Sequence, residues 1–296
     1  MVLPLPSPDL VRANLRGAAF MVFAMALFAV EDSLLKGVAA HLPVGEVLIL
    51  FGLGGSIVFA GLTVMRGERI FHPALRQRVM ALRAVSEITG RVFFTLSLAL
   101  TTLSATSAIL QATPLVVAAA GSFIFGERVG LRRWFLIGLG FVGVLMVLRP
   151  GAGDFSALSI LAILGMLGFA GRDLATRAAP ATLSYAQLGL YGFVPLIVAG
   201  TALMVWQGGA VMPVARDLAL LLAAVIIGVI AYTSLTMAMR MGELSAVTPF
   251  RYSRLLFGMG MGVVVFGETP SFWDYAGGAV IVVAGLMIML SSRRRR

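Results

Sequence analysis

The feature that most constrains this chain is that it contains itself twice. A shift of 141 residues lays Leu103-Ser104-Ala105 on Leu244-Ser245-Ala246, Gly121 on Gly262, Phe125-Gly126-Glu127 on Phe266-Gly267-Glu268 and Trp134 on Tyr275, with no gap. Carried back toward the N-terminus, the same offset places Phe28-Ala29 on Phe169-Ala170, Asp32 on Asp173, Lys36 on Arg177 and Thr95 on Thr236. A unit of this length is far beyond the roughly 20–50 residues of a solenoid repeat, so it reads as a duplicated domain.

The duplicated unit is too apolar for water. Hydrophobic residues make up 59% of the 296, above the roughly 45–50% of soluble domains, and the mean hydropathy is +0.99. Charged residues fall to 12%, because a side chain facing lipid is costly to ionise. Runs of about 20 mostly apolar residues, the length that crosses a bilayer core, occupy 17–40, 44–65, 77–101, 104–125, 131–149, 156–179, 182–206, 215–240, 244–266 and 271–291. The expected fold is an all-α integral membrane protein of ten transmembrane helices, with only turns between Thr101 and Leu103, Gly126 and Gly130, and Gly267 and Pro270. The expected divisions are an N-terminal cytoplasmic segment 1–16, a first repeat 17–149, a second repeat 156–291 and a basic cytoplasmic tail 292–296.

Five helices per repeat is an odd number, so the second copy enters the membrane from the face opposite to the first. The two five-helix halves are therefore inverted, a transporter design in which the substrate site lies near the midplane between the halves. Placing both termini in the cytoplasm puts most of the basic residues there, including Arg66, Arg69, Arg76, Arg78, Arg83 and the terminal Arg293 to Arg296, against Lys36, Arg149 and Arg216 outside. The formal charge of +10 is thus an orientation signal and does not point to nucleic acid. The chain has no Cys, and His41 and His72 stand apart in short connections, so neither a metal nor another cofactor is expected. No GxxxxGK[ST] loop supplies ATP binding. No nucleophile is paired with a base, so the chain does not read as an enzyme. The start, with Pro4, Pro6, Pro8 and Asp9, does not read as a cleavable leader.

The stretch ATPLVVAAAGSFIFGERVGLRRWFLIGLGFVGVLMVLRPG, and its partner LSAVTPFRYSRLLFGMGMGVVVFGETPSFWDYAGGAVIVVAGL, resemble the two EamA-type repeats of the drug/metabolite transporter superfamily. The resemblance runs from about Gly17 to Ser291. It implies ten helices in inverted halves and transport of small organic metabolites without ATP. Lys36 matches a Lys common in the family, whereas many relatives carry an Arg where this chain has Gly52. Family branches include exporters of amino acids, notably aromatic ones, and carriers of nucleotide sugars, sugars and adenosylmethionine. The expectation is a secondary transporter or facilitator in the inner (plasma) membrane, working by alternating access on a small-molecule substrate. Amino acid export leads, because the helices offer both charge signs with little bulk. Carriage of another metabolite, or a channel, is the alternative.

Polar residues inside the runs are the candidates for chemistry. Glu87 and Arg91 share a face of the third run at mid-depth and form a favourable i, i+4 pair, so they either line the substrate cavity or neutralise each other. In the ninth run Arg251 and Arg254 share a face beside Tyr252, and the offset matches Gln111 to Tyr252 and Thr113 to Arg254. The guanidinium fork suits a substrate carboxylate or phosphate, the alternative being pairing with Glu31, Asp32 or Glu87. Glu31, Asp32 and Lys36 in the first run answer to Arg172, Asp173 and Arg177 in the sixth. Asp32 with Lys36, and Asp173 with Arg177, read as i, i+4 pairs that cap helix ends or gate the two faces. Glu31 is left without a cation at that spacing and is the expected carrier of any coupled proton. Pro114, Pro195 and Pro249 are candidate kinks. Gly126 and Gly267 are expected left-handed C-caps, with Glu127 and Glu268 favouring the helices that follow.

Overall fold

The computed structural model describes residues 8–124, 131–148, 158–240 and 248–293. Its regular structure is entirely helical, as bilayer physics demands of a chain that must satisfy its own backbone hydrogen bonds. In the first repeat α1 (Pro8–Ala39), α2 (Val44–Met65) and α3 (Arg78–Leu100) are the first three spans, α4 (Leu103–Leu110) and α5 (Thr113–Ile124) share the fourth, and α6 (Leu131–Leu148) is the fifth. The second repeat follows as α7 (Ser159–Ala178), α8 (Tyr185–Gln207), α9 (Ala215–Arg240), α10 (Ser253–Phe266) and α11 (Phe272–Arg293). Five segments, within α1, α2, α7, α8 and α9, are long and apolar enough to cross a membrane by themselves. Outward-facing side chains such as Ile57, Phe135, Leu222 and Leu256 are exposed, the pattern of a surface made for lipid.

Two features depart from the expected runs. Helix α1 begins at Pro8, well before Gly17, because a proline costs nothing in the first turn of a helix and the polar stretch Asp9–Arg16 is invisible to a hydropathy count. At about 1.5 Å per residue its 32 residues reach about 48 Å, so its first turns stand clear of a hydrocarbon core of about 30 Å. The fourth span is broken, with α4 ending at Leu110 and α5 starting at Thr113. In the second repeat a 3-10 turn, Thr248–Tyr252, gives way to α10 at Ser253. Offset by 141, Gln111 falls on Tyr252, so α5 and α10 begin within one residue of matching positions. Pro114 and Pro249 therefore open helical segments, where a missing N–H is harmless, and Pro195 alone of the three sits inside a helix.

The repeats pack on each other. Among the main contacts are α1 on α9, α2 on α8, α3 on α7, α4 on α10 and α6 on α11, each joining one repeat to the other. Numbered as spans, this pairs first with eighth, sixth with third, and second, fourth and fifth with their own copies, a set that exchanging the repeats leaves unchanged. Glycine makes such approaches possible: a Cβ on Gly143 would lie 2.8 Å from the Gly277 carbonyl, and one on Gly277 2.5 Å from that of Gly143. Gly258 and Gly262 likewise face Ser107 and Ser104 of α4, whereas Gly260 faces open space. Gly267 caps α10 at φ 62° in the left-handed region, as expected; Gly126 and Glu127 lie outside the described residues.

Candidate functional site

The charged side chains of the spans gather where the broken helices meet α1, α3 and α7. Arg91 donates to Glu31 at 2.8 Å and Arg254 donates to Asp32 at 2.7 Å. Arg172 and Arg251 each lie 2.9 Å from Asp173, while Glu87 lies 3.5 Å from Arg172 and 3.9 Å from Arg83. Glu31 and Asp32 are wholly buried. Removing one partner of such a buried pair costs about 3–5 kcal/mol, because the other charge is left uncompensated. Aromatic faces support the cations: Arg254 sits 5.0 Å from the centre of Phe28, and Arg172 4.8 Å from that of Phe169. Phe28 and Phe169 are repeat twins, so the matched ring serves a guanidinium in each half.

These pairings correct the helix-local ones. Glu87 does not pair with Arg91; it faces Arg83 and Arg172, and Arg91 turns to Glu31 on α1. Asp32 does not pair with Lys36 but with Arg254 of the other repeat, and Asp173 is held by Arg172 and Arg251; the side chain of Arg177 is outside those described. Glu31 is not left over, so the reason for singling it out as a proton carrier falls away. The cause is general: an i, i+4 pair on one helix gains only about 0.2–0.5 kcal/mol, and a neighbouring helix in a dry interior offers a stronger partner.

A cavity of about 40 Å3 opens at this cluster, lined among others by Arg91, Arg172, Arg251, Arg254, Gln111 and Thr113. Glu87 and Tyr252 are not in its wall. Tyr252 is buried in the apolar cluster of Phe94, Ile109 and Leu255, and Glu87 stands behind Arg172. None of the acids reaches the wall, so the cavity presents guanidinium and amide groups between apolar side chains such as Met25 and Leu235. Its volume has room for a few waters. Arg91 Nε, Arg254 Nε and Gln111 Nε2 are buried donors without a partner, each a desolvation cost of about 1–3 kcal/mol. Among the described residues no group of His, Asp and Glu converges as metal ligands would.

Two further assemblies lie at the ends of the cluster. Arg83, counted by sequence as a loop cation, is only 1% exposed and donates to Thr176 Oγ1, the Leu188 carbonyl and Tyr232 Oη, tying α3 to α7, α8 and α9. Its spacing of four before Glu87 was the available signal, masked by the nearby Arg76 and Arg78. At the end of α1 opposite its N-terminus, Lys36 donates to the carbonyls of Leu98 and Thr101 and lies 3.9 Å from Glu268. The Glu268 carboxylate accepts from the amides of Leu103 and Ser104 at 2.7 and 3.0 Å and from Ser104 Oγ at 2.7 Å. Glu268 thus caps α4 in the other repeat, not α11, whose first turn holds its own Asp274 hydrogen-bonded to Ser271.

Comparison with known proteins supplies the family. The profile of the EamA-like transporter family matches residues 15–149 and again 152–291. The chain belongs to the EamA-like transporter family. Among relatives of this family protein, the S-adenosylmethionine uptake transporter of Rickettsia prowazekii (strain Madrid E) is 23% identical over 97% of this chain and 96% of its own length. The pseudopaline exporter CntI of Pseudomonas aeruginosa (strain UCBPP-PA14) is 25% identical over 90% and 94%. The riboflavin transporter of Rhizobium johnstonii is 28% identical over 64% and 62%. A solved crystal structure shares the fold with a TM-score of 0.63 at 16% identity, covering 96% of this chain and 99% of that one.

Proposed function

We propose that this family member is a secondary transporter or facilitator of small organic metabolites bearing a carboxylate, and that it exports amino acids across the inner membrane with both termini in the cytoplasm. The observation that carries the reading is the cavity wall, in which Arg91, Arg172, Arg251 and Arg254 converge with no lining carboxylate. Guanidinium forks match carboxylate oxygens in a way few other substrate groups use as well. Alternating access is supported by a clamp at one end of the molecule and by the cavity. The first repeat, 17–149, and the second, 156–291, are clamped to each other at one end by Lys36 and Glu268, and the cavity is lined by residues of both, so rocking of one repeat against the other reshapes it. Coupling to a proton gradient would have to part an ion pair, since Glu31, Asp32, Glu87 and Asp173 each have an arginine within 4 Å.

A second reading, uptake of a metabolite of adenosylmethionine type, is favoured by the near-complete alignment with the Rickettsia transporter and by the rings of Phe28 and Phe169 in the cavity wall, which can stack on a base. Counterflow in proteoliposomes decides among these: labelled amino acids, adenosylmethionine, sugars and nucleotide sugars are offered to vesicles preloaded with the same compounds. Saturable counterflow of amino acids supports the first reading, counterflow of adenosylmethionine alone the second, and non-saturating flux without counterflow a channel. Orientation is checked separately, because the natural chain has no cysteine. Arg69→Cys is expected to react only with reagents that reach the cytoplasm and Met212→Cys only from outside; labelling of Arg69→Cys from outside would overturn the topology.

A further inference from the structure

The charge balance of the cluster adds a condition on the substrate that the presence of arginines alone does not, and it rests on the carboxylate reading above. Among the described residues the ion-pair network joins Glu31, Asp32, Glu87 and Asp173 to Arg83, Arg91, Arg172, Arg251 and Arg254. Arginine keeps its charge in any protein setting, so with its carboxylates ionised the network holds one more positive charge than negative. The distances say where the surplus sits. Arg91 takes Glu31, Arg254 takes Asp32, and Glu87 lies between Arg83 and Arg172. Asp173 is shared at 2.9 Å by Arg172 and Arg251. Remove Arg251 and every one of these carboxylates still has a cation beside it. Arg251 is also the most accessible of the five, its side chain 18% exposed, and it projects into the cavity wall from the 3-10 turn at the break.

A second observation points to the same kind of ligand. Gln111, 3% exposed, has its amide nitrogen unpartnered, and so are the Nε atoms of Arg91 and Arg254. All three side chains line the cavity and come from different elements. Donors alone are left over in the wall, so what completes it is an acceptor.

We propose that the transported molecule is an organic anion of net charge minus one, with one carboxylate received by the unmet N–H groups of Arg91, Gln111 and Arg254 and the excess negative charge answered by Arg251. An acidic amino acid, with two carboxylates and one ammonium, has this charge. A neutral zwitterion leaves the surplus on Arg251 uncompensated in a low-dielectric site, and a net cation adds to it. A charged hydrogen bond distinguishes partners by about tenfold to a hundredfold, so Arg251 sets specificity for net charge. The loaded site is then electrically balanced, whereas the empty one is positive.

The experiment compares carboxylates with their isosteric amides, so that shape is held while charge changes, and the Arg251 variants separate charge from the loss of an acceptor. Counterflow by the full chain in proteoliposomes is measured with glutamate against glutamine and aspartate against asparagine, with phenylalanine and adenosylmethionine as neutral and cationic competitors. The acids are expected to compete at concentrations about tenfold or more below those of their amides. Arg251→Gln is expected to bring each pair within about threefold, and Arg251→Lys, which keeps the charge, to restore most of the difference. Exchange of acid for acid is expected to be unaffected by an imposed membrane potential. Robust counterflow in which the wild type takes the amides or adenosylmethionine as well as the acids overturns the proposal, whatever the variants do. No counterflow with any compound removes the transport reading itself, and this proposal with it. If Arg251→Gln fails to fold, the wild-type comparison of acid with amide decides alone.

Discussion

The two repeats share a scaffold and differ in charge. Position for position they repeat Phe28 as Phe169, Asp32 as Asp173, Thr95 as Thr236 and the Phe-Gly-Glu turn before the last span. At the cavity the matched positions part company: Glu31 answers to Arg172, Arg91 to Tyr232, Leu110 to Arg251 and Thr113 to Arg254. The first repeat supplies Glu31, Asp32 and Glu87, the second Arg172, Arg251 and Arg254, and the bridges Asp32 to Arg254 and Glu87 to Arg172 run between them. Packing can be duplicated, because a helix meets a copy of its partner equally well on both sides of a pseudo-two-fold axis. Charge is duplicated only in part, at Asp32 and Asp173 here, because like charges facing each other across that axis would repel in a medium that screens them poorly unless each had its own cation.

The strongest way to break the comparison is to unbalance a buried pair. Arg91→Gln leaves Glu31 without its hydrogen-bonded cation and is expected to cost about 3–5 kcal/mol, read as a loss of folded protein on size exclusion in detergent. The double variant with Glu31→Gln is expected to recover much of that loss. A double variant no more stable than Arg91→Gln alone would show that the two residues act separately. Asp32→Asn should cost a similar amount, because Arg254 has no other carboxylate partner among the described residues, whereas Asp173→Asn leaves Arg172 beside Glu87 and strands only Arg251, the most accessible of these arginines, so it should cost less. Equal losses at the twins would erase the asymmetry drawn here.

Packing comes next. Gly168→Ala would drive a methyl group into the Gly90 backbone of α3, and overpacking of this kind costs about 1–3 kcal/mol. Gly260→Ala, with nothing within 4 Å, should move the melting temperature hardly at all, and serves as the control for membrane insertion. The clamp at the far end is smaller again. Glu268→Gln keeps the shape of the cap but loses the charged hydrogen bonds to α4 and the pairing with Lys36, a loss of about 1–2 kcal/mol. It is expected to raise the accessibility of a cysteine introduced at Gln111 to a reagent added from the Lys36 face. No change there would make the clamp a helix cap and nothing more.

Much of this molecule was legible before any fold was in hand. Ten spans follow from the length of the apolar runs and inversion from an odd number of spans in each copy, while matching the copies groups Gln111, Thr113, Tyr252 and Arg254, of which Tyr252 turns into the apolar core instead. The left-handed cap at Gly267 was readable because only glycine occupies that conformation freely. The pairings of Glu31 and Asp32 were not readable, because each found its cation on another helix and sequence spacing reports only neighbours on the same one. Arg83 was hidden for the related reason that a count of basic residues assigns it to the loop it follows. The break at Gln111 escaped because hydropathy does not distinguish one helix from two in line.

What the sequence by itself determined is therefore the count, direction and duplication of the helices, since these depend on where apolar side chains stop and on local backbone preference. What the tertiary structure alone decided is which charge meets which, that Glu268 of one repeat caps α4 of the other, and that the acids stand behind the cavity wall while the arginines form it. Those outcomes depend on inter-helix distances of a few ångströms in a dry interior, where Coulomb attraction between close partners outweighs the weak preference for a neighbour one turn away.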